Sequence, residues 1–339
     1  MQNSENISDT AAVIKERRGH LGCVTLNKPK RLNAVDPTMA REIDNALEDF
    51  CQDDSVSAIL LHSGSSRAFC AGGDIRHIRE VLLREGAGAA CAEMSIAYST
   101  MLRISMCPKP VITIMDGITM GGGIGIGAHA AFRVVTERSV LAMPETAIGL
   151  TPDAGGSWLL ARAPGRHGLR CAVTGRRIHG AEAVSMGLAD VCISSADLPE
   201  LLLELETCSP SDIARLHPDN IPPLPHDEEI SVVWEGIDVE RIRERLCATD
   251  ADWAREDLAL LDAACPWATG ISAWSWRHAR GYTSLDEALR EETKLVRLCL
   301  DRPDFAEGIR ARVIDKNTPH WSPATLEEAC LELAGQGFV

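Results

Sequence analysis

The sequence predicts an α/β fold with a helical C-terminal region. Short apolar runs bounded by Gly, Pro or Ser alternate with amphipathic stretches as far as about residue 196, and helical periodicity takes over afterwards. The 339 residues, 45% of them apolar, suffice for a sizeable core, and their length fits two or three domain-sized units. We therefore expect a core over 1–196 and a mainly helical region over 197–339, with a Pro-rich connection near 209–229.

Taken in chain order, Val13 to Asn27 mixes apolar and polar residues around Gly19 and Gly22, which predicts a hairpin or two short strands. Asp36 is a candidate N-cap with Pro37 at the first helical position. Met39, Ile43, Ala46, Leu47 and Phe50 then recur at helical spacing. Ser57 to His62 and Val111 to Met115 read as buried strands, and Phe132 to Met143 as a further strand pair. Leu198 to Glu206 is helical, whereas Ser209 to Glu229 carries five prolines and several acids, the texture of a long connection. From Asp238 to Leu300 the pattern is mainly helical. The Trp residues of the last third (Trp253, Trp267, Trp274, Trp276, Trp321) are read as packing residues.

Composition excludes several classes of function. A formal charge of −15 opposes a duplex-binding surface, which needs clustered cations, but leaves room for a local basic pocket. Twelve scattered cysteines without a CxxC pair or a short-spaced Cys/His cluster suggest reduced thiols and no metal site. The polar segment Met1 to Thr10 has no secretory pattern, and no run approaches the roughly 20 apolar residues of a membrane span. A bacterial-type cytoplasmic protein is expected, and a processed protein of the mitochondrial matrix would have the same appearance.

Chemistry first becomes visible at glycine. Phe69-Cys70-Ala71-Gly72-Gly73-Asp74 follows a strand and precedes a helical run, which Asp74 is placed to cap. Met120-Gly121-Gly122-Gly123-Ile124-Gly125 repeats the arrangement. Such turns present backbone N–H groups, and two together make an oxyanion hole in which each donor is worth about 3 kcal/mol at the transition state. Two other readings stand beside this one: tight packing, and a dinucleotide site through the looser GxGxxA match of Gly123, Gly125 and Ala128. No GxxxxGK[ST] segment is present.

The third feature is Met143-Pro144-Glu145-Thr146-Ala147-Ile148-Gly149-Leu150-Thr151-Pro152-Asp153-Ala154-Gly155-Gly156. Pro152 and the glycines break any continuous helix, so a folded loop is expected to carry Glu145 and Asp153 to one pocket. Apolar neighbours raise a carboxyl pKa and suit it to acid-base work; helix capping and solvated loop acids are the plain alternatives.

Taken together and in order, these motifs and Asn27-Lys28-Pro29-Lys30-Arg31-Leu32-Asn33-Ala34 resemble the enoyl-CoA hydratase/isomerase (crotonase) superfamily. Within it the resemblance is to the branch that hydrolyses 3-hydroxyisobutyryl-CoA, carried also by Asp304-Phe305-Ala306-Glu307-Gly308-Ile309-Arg310-Ala311 and Ile314-Asp315-Lys316. The resemblance implies a crotonase-like spiral of ββα turns and an oxyanion hole at Gly73 and Gly122. It also implies Glu145 as nucleophile or general base and Asp153 as its acid-base partner, with a place in valine catabolism. Coenzyme A enters as part of the substrate and no separate cofactor is implied. Arg31, Arg76 and Lys316 become candidate contacts for its phosphates, with Ala71, Asp74 and Ile75 beside them. Homo-oligomers are common in the superfamily.

Two departures refine the reading. Where hydratases carry a second glutamate, two residues after the GGG run, this chain has Gly125; hydration needs an acid and a base flanking Cα and Cβ, so hydrolysis is favoured. The hydrolase resemblance also implies a substrate-contacting carboxylate just before Tyr98, where Ile96-Ala97 stands; the nearest upstream acid is Glu93. A CoA-ester isomerase and a catalytically weak CoA-ester-binding protein are the alternatives. His129, one helical turn beyond Gly125, either faces the pocket or is a hydrogen-bonded structural residue.

Overall fold

The computed structural model describes residues 11–207 and 221–338. Val13–Arg18 (β1) and Leu21–Leu26 (β2) form the expected antiparallel pair. Asp36 caps Pro37–Gln52 (α1), its carboxylate accepting from the Met39 N–H at 2.9 Å, and all five periodic apolar residues of α1 are buried.

After α1 the chain winds in repeated passes, each laying one strand in each of two sheets. The first pass gives Ala58–Ser63 (β3) and Ala68–Cys70 (β4), then helices Ile75–Glu85 (α2) and Ala87–Ser105 (α3). The second gives Val111–Ile114 (β5), Ile118–Met120 (β6) and Gly122–Gly127 (α4). A third gives Phe132–Thr136 (β7) and Val140–Ala142 (β8), followed by Gly156–Ala161 (α5) and His167–Thr174 (α6). In the last pass Ile178–His179 (β9) lies antiparallel to β8, and Gly180–Ser185 (α7) leads to Val191–Ile193 (β10) and Leu198–Leu205 (α8). The sheets run β1-β2-β3-β5-β7-β10 and β4-β6-β8-β9. This is the expected crotonase-like spiral: crossover helices shield the parallel strands, which explains their continuous apolar runs.

The C-terminal helices are Asp227–Val233, Val239–Ala248, Asp252–Ala263, Pro266–Ala279, Leu285–Leu300, Pro303–Ile309 and Leu326–Gly335. The first corrects one expectation. Asp227, Glu228 and Glu229, read as the acidic end of a connection, form the first turn of a helix, where carboxylates favour the positive end of the dipole. The centre of the Pro-rich connection and the segment Met1 to Thr10 lie outside the described residues.

This helical region has no core of its own. Trp253, Trp276 and Leu289 share one apolar cluster with Ile59, Leu61 and α1, while Trp267, Ile271 and Val296 join Ile78 and Ala90 of α2 and α3 in another. Trp274 and Trp321 pack against that second cluster, so packing accounts for all five tryptophans. A buried Arg170–Asp257 pair at 2.6 Å, to which the Trp234 indole N–H also donates at 3.1 Å, ties α6 to the C-terminal helices. Among the described residues no helix is long and apolar enough to cross a membrane.

The tightest join is at Gly308, where a Cβ would stand 2.6–2.7 Å from the backbone of Ile148, the end of the short 3-10 turn Glu145–Ile148. Gly308→Ala is therefore expected to cost roughly 1–3 kcal/mol and to lower the melting temperature followed by circular dichroism. An unchanged melting temperature would show that the two backbones separate freely.

Candidate active site

The two glycine turns are built against each other. Strands β4 and β6 are parallel neighbours, so the turns that follow them leave the sheet on the same side. Gly123 lets α4 start directly on the first turn, since a Cβ there would lie 2.1 Å from the carbonyl oxygen of Cys70. As a result the Gly73 nitrogen lies only 3.5 Å from the position a Gly122 Cβ would occupy. Among the described residues neither the Gly73 nor the Gly122 N–H donates to a protein acceptor, and both residues line one cavity. The tight-packing reading of the glycines thus holds together with the binding one: the packing creates the adjacent donors.

Both carboxylates line the same cavity and are buried. Glu145 opens the 3-10 turn Glu145–Ile148. Its Oε1 reaches towards Gly121, where a Cβ would meet it at 2.7 Å, and its buried Oε2 has no hydrogen-bond partner. Asp153 sits in the loop before α5, and its Oδ2 accepts from the buried Tyr98 hydroxyl of α3 at 2.5 Å. Burial, reinforced by the nearby Asp153 charge, holds the Glu145 carboxyl well above the usual range. Burial also raises Asp153, but the Tyr98 hydrogen bond opposes it and the value reaches only about 6. The Tyr98 hydrogen bond thus favours the charge on Asp153 and leaves the proton to Glu145 as the more strongly raised partner.

His129 is buried and faces the backbone, its Nε2 at 3.1 Å from the Ala154 carbonyl; burial lowers its pKa to about 4, so the ring is neutral and Nε2–H is the donor. It is the structural residue of the two readings. Gly125 faces a closed space: a Cβ there would meet the Met101 sulfur and terminal methyl at 2.7 Å and the Ala154 methyl at 2.8 Å. Packing thus accounts for both glycines of the GxGxxA match.

Ala97 lines the cavity, whereas Ile96 packs into the core. One helical turn earlier on α3, Glu93 also lines it, and its Oε2 lies 2.6 Å from His77 Nε2. A pocket carboxylate is therefore present, displaced by one turn from its expected place. An outer groove adjoins the cavity, lined by Arg31, Ala71, Asp74, Ile75 and Arg76 among others. Arg31 pairs with Asp74 at 2.8 Å, and Asp74 also caps α2 through the His77 N–H; Arg76 donates to the Val313 carbonyl at 2.8 Å. Lys316 is exposed, and Val313, three residues before it, lines this groove. Tyr98 and its bond to Asp153 were not foreseen as functional, because nothing in the spacing of residues 98 and 153 announces their meeting.

The family model for enoyl-CoA hydratase/isomerase matches residues 21–338. The chain belongs to this family. It is 36% identical over 339 residues to the mitochondrial 3-hydroxyisobutyryl-CoA hydrolase of Rattus norvegicus, covering 95% of this chain and 87% of the rat protein. Among solved structures it is similar to a carnitinyl-CoA dehydratase from Mycobacterium thermoresistibile (TM-score 0.87, 36% identity, 94% of this chain and 93% of the other). It is equally similar to an enoyl-CoA hydratase from Rhodobacter sphaeroides (TM-score 0.86, 36% identity, 94% of each). Family membership fixes the fold and is consistent with an acyl-CoA substrate, while relatives named for different reactions stand at the same identity.

Tyr98→Phe removes the one hydroxyl that stabilises the Asp153 charge. The acid limb of the pH–rate profile for acyl-CoA turnover is expected to move to higher pH and kcat to fall roughly tenfold. A limb that stays in place would show that Asp153 does not govern it.

Proposed function

We propose that this chain hydrolyses a short, branched 3-hydroxyacyl-CoA thioester, of the 3-hydroxyisobutyryl-CoA kind, to the free acid and CoA. The observation that carries this reading is the closed space at Gly125 beside the Glu145–Asp153 pair. Hydration of an enoyl-CoA needs a second acid-base group across the double bond, and no side chain fits at Gly125 without displacing Met101 and Ala154. Hydrolysis needs only a nucleophile and a stabilised oxyanion. The rat relative bears a hydrolase name, while the two solved structures bear dehydratase and hydratase names, and the closed space at Gly125 supports the hydrolase reading.

CoA lies along the outer groove, with Arg31 and Arg76 nearest its phosphates, and the acyl group enters the cavity. That cavity is about 130 Å³, close to the roughly 150 Å³ that accommodates a benzene-sized molecule, and so takes a short acyl chain. Glu93 and His77 are its polar partners for the acyl hydroxyl.

In the chemical step Glu145 gives its proton to the Asp153 carboxylate and attacks the thioester carbonyl carbon. The oxygen becomes an oxyanion held by the Gly73 and Gly122 N–H groups. Collapse breaks the C–S bond, and the departing thiolate takes the proton from Asp153. Water then adds to the Glu145 carbonyl carbon of the resulting acyl anhydride, with Asp153 as base; the acyl group leaves with the bridging oxygen and takes the proton from Asp153 as the free acid, and Glu145 is regenerated in its protonated form. The Glu145 Oε2, which has no protein donor among the described residues to blunt its lone pairs, supports the nucleophilic role.

Free thiol release from a panel of 3-hydroxyacyl, unsubstituted and enoyl-CoA esters tests the reaction class. Release is expected to be fastest with branched 3-hydroxyacyl-CoA and to fall by a factor of roughly 10² or more in Glu145→Gln and Asp153→Asn. Double-bond migration without thiol release would instead identify an isomerase, and binding without either a CoA-ester-binding protein. For the covalent route, turnover in ¹⁸O-water is expected to leave ¹⁸O in the Glu145 peptide by mass spectrometry; label confined to the product acid would replace it with direct water attack.

A further inference from the structure

Glu292 is a buried acid with no part in the chemistry described above. It lies on the helix Leu285–Leu300, is 1% exposed, and comes within hydrogen-bond distance of the turn that follows Asp153. Its Oε2 accepts from the Gly155 N–H at 2.7 Å, and its Oε1 accepts from the Ser157 N–H at 2.9 Å and the Ser157 hydroxyl at 2.5 Å. Both backbone donors belong to the start of α5, where N–H groups have no partner within their own helix. A carboxylate from a distant part of the chain therefore completes this helix end.

The turn needs outside support. Ala154 and Gly155 adopt φ of +58° and +74°, and for the alanine this left-handed conformation is strained. Such a conformation persists where its surroundings over-determine it. Here Tyr98 holds the Asp153 side chain, His129 holds the Ala154 carbonyl, and Glu292 holds the Gly155 and Ser157 amides. Leu285, at the start of the same helix as Glu292, fills the space where a Gly155 Cβ would project.

We propose that Glu292 is a positioning residue for catalysis, fixing through the Gly155–Ser157 backbone the turn that aims Asp153 at Glu145 and the thioester. It has a second effect through space. Burial raises the Glu292 pKa to about 8, and Glu292, when ionised, raises that of Glu145, so the acid also helps to keep the proton on the pair. This inference rests on the hydrolase reading for its rate measurements but not for its structural readout.

Glu292→Gln keeps the size of the side chain but turns an amide NH₂ towards one of the donors and removes the charge. The expected result is a native circular dichroism spectrum, KM within about threefold of wild type and kcat lower by roughly 10- to 100-fold, with the acid limb of the pH–rate profile moved to higher pH as the loosened turn weakens the Tyr98–Asp153 hydrogen bond. Ser157→Ala removes a single hydrogen bond and is expected to lose a few-fold in kcat. Wild-type kcat and an unmoved limb in Glu292→Gln would overturn the proposal, as would a loss confined to KM. Should Glu292→Gln fail to fold, Ser157→Ala decides in the same way. If the wild type releases no thiol from any acyl-CoA, the hydrolase reading falls, and the inference is read from the ¹³C-carboxyl titration of Asp153, identified by its absence in Asp153→Asn. A midpoint unaffected by Glu292→Gln would then sink it.

Discussion

Backbone pressed on backbone, at Gly123 against the Cys70 carbonyl, is the contact on which the site depends. Two parallel strands cannot bring their following turns closer than the side chains between them allow. With a hydrogen in place of Cβ, the second turn settles onto the first, and two N–H groups from different passes of the spiral become neighbours. In the proposed reaction everything chemical follows from that adjacency: where the carbonyl oxygen would be held, and hence where Glu145 and Asp153 must stand.

Placing those acids has an electrostatic cost. Glu145, Asp153 and Glu292 are all buried, and the interior disfavours three carboxylates in one neighbourhood. The structure meets this unevenly. Among the described residues Glu292 accepts from three donors and Asp153 from the Tyr98 hydroxyl, whereas the Glu145 Oε2 has no partner. That gradient of solvation assigns the proton to Glu145, and it arises from elements that approach from several directions: α3 supplies Tyr98, and the C-terminal helices supply Glu292.

Much of this was legible in the sequence because it lies in contiguous motifs. The strand-turn-helix pattern around Gly73 and Gly122, the Asp36 cap and the break at Pro152 are local signals, and each is found where its chemistry requires. Groups that meet only through the tertiary fold were not legible. Tyr98 reads as an ordinary helical aromatic until Asp153 is folded against it, and Glu292 is one of four acids in an amphipathic helix, distinguished only by what it faces. The displaced carboxylate belongs to both classes: Ala97 announced a loss, but only the geometry of α3 shows Glu93 turned to the same cavity. Acidic composition misled near Asp227, because a helix start and a solvated connection favour the same residues.

The reach of Glu292 has a consequence during synthesis. The chain emerges from its N-terminus, so Gly155 leaves the ribosome 137 residues ahead of the acid that satisfies its N–H. Until then the spiral can collapse around its strands while the turn bearing Asp153 lacks its brace and α5 has open donors at its start. In the proposed reaction, competence is thus tied to completion of the chain, because the C-terminal helices supply both this brace and part of the apolar clusters they share with the spiral.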